Sequence, residues 1–214
     1  MTTAFVVAFL LVALAEFGDK SQLLLLTFAA RYKPLKVVLG TAIAVFLLQG
    51  VSVAVGSAVG ALLPQRLVAV VAGALFVGFG VATWRSAGDG EDGEEPVRAT
   101  RLGPVLTVAA ALLLAEFGDK TQLMTVSIAA DPAAALRALG SVAEGIDAPE
   151  AGTLGTSLGV WLGSSLGFLA ADIAAIVVGA VLGAKLPARL IARLSAAVFV
   201  AFGLVTLASA FVRG

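Results

Sequence analysis

Six long apolar runs make up most of this chain: Ala4–Ala30, Leu35–Leu63, Leu67–Arg85, Pro104–Ala130, Leu154–Gly183 and Ala188–Val212. About 20 apolar residues cross the hydrocarbon layer of a bilayer as a helix, so each run predicts one spanning helix, and the whole an all-α membrane protein. The evidently polar stretches are Ser86–Arg101, which contains GDGEDGEEP, and Asp131–Gly152; neither is large enough for a separately folded domain. The first run lacks the positive n-region and small-residue cleavage site of a secretory signal, and is expected to be a retained first helix.

Charge interrupts two of these runs in the same way. The octapeptide AEFGDKSQ at Ala15–Gln22 returns as AEFGDKTQ at Ala115–Gln122, 100 positions later, changed only from Ser21 to Thr121. Each copy puts a Glu, an Asp and a Lys near the middle of an expected spanning helix. A charged side chain at that depth costs roughly 2.5–3.5 kcal/mol even on lenient insertion scales, which marks such residues as functional candidates.

The match extends beyond the octapeptides. Leu63-Pro64-Gln65-Arg66-Leu67 aligns with Leu186-Pro187-Ala188-Arg189-Leu190, and Phe76, Phe79 and Gly80 with Phe199, Phe202 and Gly203, all 123 positions on. Two three-helix repeats follow: residues 1–85, then an acidic linker over 86–103, then 104–214 with an insertion at 131–152. Three is odd, so the second repeat is expected to lie inverted relative to the first, as in many secondary transporters whose site sits at the repeat interface. Nine basic residues (Arg31, Lys33, Lys36, Arg85, Arg98, Arg101, Lys185, Arg189, Arg193) fall on one side and three (Arg66, Arg137, Arg213) on the other. That excess puts the linker in the cytoplasm, with the insertion and both termini outside. Gly40, Gly56 and Gly60 match Gly163, Gly179 and Gly183 and are read as packing positions, since small residues let helices approach in lipid. Trp84 and Trp161 are read as interfacial anchors.

Composition narrows the chemistry. The chain is 214 residues long, 60% hydrophobic, with zero net charge, a mean hydropathy of +1.05 and neither Cys nor His. Nucleic-acid binding by a basic surface, disulfides, thiolate metal sites and imidazole relays are thereby unsupported. On a regular helix Glu16, Asp19 and Lys20 share one face, with Gln22 near its edge; Glu116, Asp119, Lys120 and Gln122 repeat the arrangement. Facing each other, the copies would enclose four carboxylates and two ammonium groups, a balance of minus two that one divalent cation neutralises. The expected ligands are all oxygen: Glu16, Asp19, Glu116, Asp119, the amide carbonyls of Gln22 and Gln122, and the hydroxyls of Ser21 and Thr121. Hard donors suit Ca²⁺ and Mn²⁺ rather than zinc or copper. Ser21 and Thr121 point away from the glutamates on an ideal helix, so their role requires a break at Gly18 and Gly118.

A carboxylate left in low dielectric without a cation favours its protonated form, which would couple departure of the metal to uptake of protons. Lys20 and Lys120 are expected to gate, each pairing with the Glu of its own helix and swinging off as its side opens. Asp172, alone in its run, aligns with Gln49 and is a candidate for the site or for carrying a proton. Three competing readings remain at this level: salt bridges that only hold a bundle together, a small-solute exporter of similar three-plus-three design, and a structural membrane protein. GDKTQ approaches the DKTG of P-type ATPases, but Gln122-Leu123 departs from it and no P-loop is present. The acidic run Asp89–Glu95 lacks the residue order of an EF-hand.

With Glu-Phe-Gly-Asp-Lys-Ser/Thr present twice, the chain resembles the calcium/manganese cation:proton antiporter family, defined by two Glu-x-Gly-Asp-Lys/Arg-Ser/Thr motifs. The resemblance covers essentially the whole chain. It implies an inverted-repeat secondary transporter, not an enzyme, whose first and fourth helices hold the cation through Glu16, Asp19, Glu116 and Asp119. Lys20, Ser21, Lys120 and Thr121 complete the signatures. It further implies a bacterial plasma-membrane protein whose partners are Mn²⁺ or Ca²⁺, protons and lipid, most plausibly an exporter of excess Mn²⁺. The insertion at 131–152, with Glu144, Asp147 and Glu150, matches no family motif.

Overall fold

The computed structural model describes residues 1–17, 19, 21–86, 103–139, 146–182 and 188–212. Lys20, Gly18, nearly all of the acidic linker, Glu144, Lys185, Gly183 and Arg213 lie outside them. All regular structure among the described residues is helical: α1 (Thr2–Glu16), α2 (Ser21–Arg31), α3 (Pro34–Leu62), α4 (Gln65–Ser86), α5 (Gly103–Glu116), α6 (Lys120–Ala130), α7 (Pro132–Ala138), α8 (Leu154–Leu182) and α9 (Ala188–Val212).

Two segments, Pro34–Leu62 and Leu154–Ala174, are long and apolar enough by themselves to cross a membrane. The first and fourth apolar runs are not continuous helices as expected. Each divides at its octapeptide, into α1 and α2 and into α5 and α6. Gly118 adopts φ +80°, a left-handed conformation that glycine takes without a Cβ penalty, and Phe17 turns to extended backbone with ψ 118°.

The distribution of side chains is that of a protein in lipid. Leu39, Ile43, Leu47, Val51 and Val55 recur every fourth residue along α3 and are exposed. The opposite face buries Gly40, Thr41, Gln49, Ser52 and Gly56. A helix with leucine outside and polar or small residues inside reverses the pattern expected in water, and suits hydrocarbon, where small residues bring helices together.

Glycines set the register of the bundle. A Cβ on Gly163 would lie 2.3 Å from the Phe5 carbonyl oxygen, and one on Gly167 2.5 Å from that of Phe9, so α8 and α1 run parallel at backbone contact. The equivalent closeness occurs between α3 and the fourth run: a Cβ on Gly40 would lie 2.6 Å from the Val105 carbonyl oxygen and one on Gly56 2.3 Å from that of Val126. Gly163 is Gly40 plus 123 and Val105 is Phe5 plus 100, so the same contact is made twice with the halves exchanged. Between α4 and α9 the contact is reciprocal. A Cβ on Gly73 would lie 2.8 Å from the Gly203 carbonyl oxygen and one on Gly203 2.8 Å from that of Gly73, while one on Gly80 would meet the Ala196 carbonyl, so these helices are antiparallel. Phe76 and Phe199, equivalent residues, stack there at 6.0 Å.

Trp84 is exposed, with the Arg193 guanidinium 5.6 Å from its ring centre. Trp161 is not the interfacial anchor expected. Its Nε1–H donates to the Phe46 carbonyl at 2.9 Å, in space that Gly50 leaves open. Within the insertion, Asp131 caps α7 by accepting the Ala134 N–H at 2.9 Å. Ala135 and Leu136 then join the core formed with α1 and α9.

Candidate metal centre

The two breaks face each other. Glu16, Asp19, Glu116 and Asp119 each offer a carboxylate oxygen within 4.8 Å of the other three. An ion midway between two opposed oxygens at that upper limit sits about 2.4 Å from each, inside the 2.3–2.6 Å range of calcium–oxygen contacts. The glutamates are fully buried, whereas the aspartates are only partly so. Glu16 Oε2 and Glu116 Oε2 are buried without a hydrogen-bond partner. An unpartnered polar oxygen in the interior is costly, and a bound cation would offset that cost.

Both copies use one local fold. The Asp19 N–H donates to the Glu16 carbonyl and the Asp119 N–H to the Glu116 carbonyl, each at 3.1 Å. The glutamate therefore ends one half-helix and the aspartate stands at the head of the next, which turns both carboxylates toward the other copy. The break also brings Ser21 back to its glutamate, where its hydroxyl donates to Glu16 Oε1 at 3.1 Å. Thr121 stays with its own aspartate, donating to Asp119 Oδ2 at 3.4 Å.

The two glutamines stitch the breaks. Gln22 Nε2 donates to the Glu16 carbonyl at 3.0 Å, and Gln122 Oε1 accepts the Gly118 N–H at 2.9 Å. The Gln122 carbonyl, expected as a ligand, is thus engaged with the backbone here. Helix ends leave backbone groups unpaired, so a helix interrupted in mid-membrane needs such donors and acceptors.

Lys120 does not pair with Glu116 on its own strand of sequence, as the helical-wheel argument requires. Its ammonium reaches across to Asp19 Oδ1 at 2.8 Å, and lies 5.4 Å from the centre of the Phe199 ring. With α6 starting at Lys120 itself, the side chain leaves the break toward the first copy rather than one turn back along a continuous helix. Phe199 was legible only as a packing match to Phe76; its contact with Lys120 has no separate signal in the sequence.

Asp172 is 1% exposed and, among the described residues, neither of its carboxylate oxygens has a hydrogen-bond partner; Gln49, its equivalent, is equally buried with Oε1 likewise unpartnered. The hydroxyls of Thr41, Thr125 and Ser165 are further buried oxygens without a partner, which the sequence reading did not single out.

An exterior matched to hydrocarbon surrounds a buried cluster of carboxylates, the arrangement of a membrane protein with a charged centre. The chain belongs to the divalent cation/proton antiporter GDT1 family, whose model matches residues 4–91 and 151–213. The first octapeptide lies within the matched residues and the second between them. Over 127 residues the chain is 39% identical to a Vibrio cholerae serotype O1 protein named "Putative manganese exporter", covering 58% of this chain and 61% of that one. It is 35% identical over 83 residues to GDT1-like protein 3 of Arabidopsis thaliana, and 38% over 80 residues to GDT1-like protein 4 of the same plant. Those matches take in 39% and 37% of this chain, against 28% and 35% of the plant proteins. No solved structure matches the chain.

Proposed function

We propose that this protein is a secondary active transporter that exchanges Mn²⁺, and Ca²⁺ in the same site, for protons, and that it exports Mn²⁺ across a bacterial plasma membrane. The observation that carries the reading is the cage itself, four carboxylates from two equivalent breaks within 4.8 Å of one another. Four carboxylates so close need positive charge, supplied alternately by the metal and by protons. An anionic solute would be repelled, which disfavours the small-solute exporter. A bundle held by salt bridges alone would not leave Glu16 Oε2 and Glu116 Oε2 unpartnered. Family membership and the bacterial relative's name support manganese as cargo.

In this reading the six apolar runs are six spans, and residues 1–85 and 104–214 are inverted repeats. Support comes from the sense of packing. Alternating spans require the first to run parallel to the fifth, the second parallel to the fourth and the third antiparallel to the sixth, and the glycine contacts have that sense at all three interfaces. The termini and the 131–152 insertion then lie outside and the acidic linker in the cytoplasm. Ser21, Thr121, Gln22 and Gln122 hold the breaks and reach the ion as it enters or leaves.

Flux of Mn²⁺ and Ca²⁺ into liposomes carrying the purified protein, under an imposed pH gradient, tests the reading. Mn²⁺ should move against the proton gradient, and Asp119→Asn should slow it by roughly 10- to 100-fold. Absence of flux for both ions, or wild-type flux in Asp119→Asn, rejects it.

Lys120 competes with the metal for Asp19 in this arrangement and so gates release; Lys20 is assigned the same part at the other copy. Lys120→Gln should tighten Mn²⁺ binding and slow exchange by roughly tenfold, the worth of one charged hydrogen bond. Exchange kinetics equal to the parent would remove lysine from the gate.

A further inference from the structure

We infer that Asp172 and Gln49 complete the cation site, as its fifth and sixth oxygen donors, with Asp172 supplying an additional charge that the two octapeptides do not encode. The inference rests on the carboxylate cage being the cargo site.

Coordination number is the first argument. Four carboxylates giving one oxygen each leave a hard divalent ion short of the six to eight oxygens it takes. The octapeptides have little left to give, since Gln122 Oε1 is held by Gly118 N–H and the Thr121 hydroxyl faces Asp119. Bidentate carboxylates or water could fill the remaining positions, but the interior offers two built donors, Asp172 and Gln49, both 1% exposed and both with oxygens unpartnered among the described residues.

Register is the second. Gly163 and Gly167 of α8 lie against Phe5 and Phe9 of α1. Continuing that parallel register sets Asp172 opposite Leu14, about half a turn before α1 ends at Glu16. On the other side, Gly40 lies against Val105 and Gly56 against Val126. Gln49, between them, falls at the level of Glu116 and the second break. The two residues are 123 positions apart, so one geometry delivers both. Asp172 also interacts electrostatically with Glu116, Asp19 and Glu16, so its charge bears on both copies of the motif, and its carboxylate would have to close onto the four that already lie within 4.8 Å of one another.

Chemistry is the third. An intramembrane carboxylate with neither an ion-pair partner nor a hydrogen bond is expensive. A packing role would favour a neutral residue there. A carboxylate retained on one side only makes the cage asymmetric, with more negative charge next to α8 than next to α3.

The test is saturable Mn²⁺ binding to the full-length protein in nanodiscs, followed by the loss of the free Mn²⁺ paramagnetic signal. Asp172→Asn, which keeps shape and removes charge, should weaken binding by roughly tenfold or more. The double variant Gln49→Asp with Asp172→Asn, which moves the carboxylate to the equivalent position, should recover binding to within about threefold of the parent. A purely structural Asp172 would not be rescued by charge on another helix. Parental affinity in Asp172→Asn, or a double variant as weak as the single one, overturns the assignment while leaving the four-carboxylate site standing. Failure of the parent itself to bind Mn²⁺ overturns both.

Discussion

Replacing Glu16 and Glu116 together by glutamine is expected to abolish metal-dependent transport, with Mn²⁺ flux falling by on the order of 100-fold or more, while the protein still purifies as a folded species. The reason lies in how the two side chains are placed. Both are buried, and each ends a half-helix with an oxygen that has no hydrogen-bond partner among the described residues. Glutamine preserves the volume and can still accept the Ser21 hydroxyl that Glu16 accepts at 3.1 Å. What it removes is two negative charges at the centre of the cage. Without bound metal, loss of those charges relieves repulsion among carboxylates held within 4.8 Å of one another. The substituted protein should accordingly melt at the same temperature as the parent or higher in metal-free buffer. Adding Mn²⁺ should stabilise the parent, because a ligand that binds only the folded state raises its stability by mass action, and should leave the double variant unmoved. A Mn²⁺-dependent rise in melting temperature that survives the double substitution would show that the ion binds elsewhere.

Much of this centre was legible before any coordinates. The two octapeptides, their offset of 100, and the later offset of 123 located all four acids and identified the glycines at 40 and 163 as packing positions. What the sequence did not convey was direction. Helical periodicity puts Glu16, Asp19 and Lys20 on one face only if the helix continues, and the same argument pairs Lys120 with Glu116. The chain instead breaks after each glutamate, so neighbours in sequence stop being neighbours along a helix, and Lys120 finds Asp19 from the other half. Glycine at 118 signalled that a break was affordable, but not where the side chains beyond it would turn. Trp161 was misread for a related reason. Its position near a helix end suggested an interfacial ring, yet Gly50 opens a slot on the neighbouring helix that its indole fills. A missing side chain is information about the partner helix, which periodicity along a single helix does not carry. Asp172 stood out because it is charged; Gln49 gained weight only once the register of α3 against α5 and α6 set it level with the second break.

Gly163→Leu and Gly40→Leu are expected to be among the most damaging single substitutions outside the acidic site, and to be damaging to a similar degree. At Gly163 an added Cβ would stand 2.3 Å from the Phe5 carbonyl oxygen and about 3.0 Å from the carbon atoms beside it. At Gly40 the obstacles are the Val105 carbonyl at 2.6 Å and the Val108 Cβ at 2.7 Å. Backbone cannot swing aside like the end of a flexible chain, so each substitution forces two parallel helices apart. Overpacking a close interface costs typically about 1–3 kcal/mol and occasionally more, and leucine adds three carbons beyond the Cβ. The displaced helix is α8 in one variant and α3 in the other, and these carry Asp172 and Gln49. Separation of either from its partner should therefore weaken Mn²⁺ binding as well as lower the melting temperature. Gly78 provides the control, since a Cβ there meets nothing within 4 Å; Gly78→Leu should melt and bind as the parent does. Melting curves with and without Mn²⁺ for the three variants decide the matter. If Gly40→Leu and Gly163→Leu differed widely in cost, the two contacts would not be copies of one another, and the exchange of halves that brings the acids together would lose its structural basis.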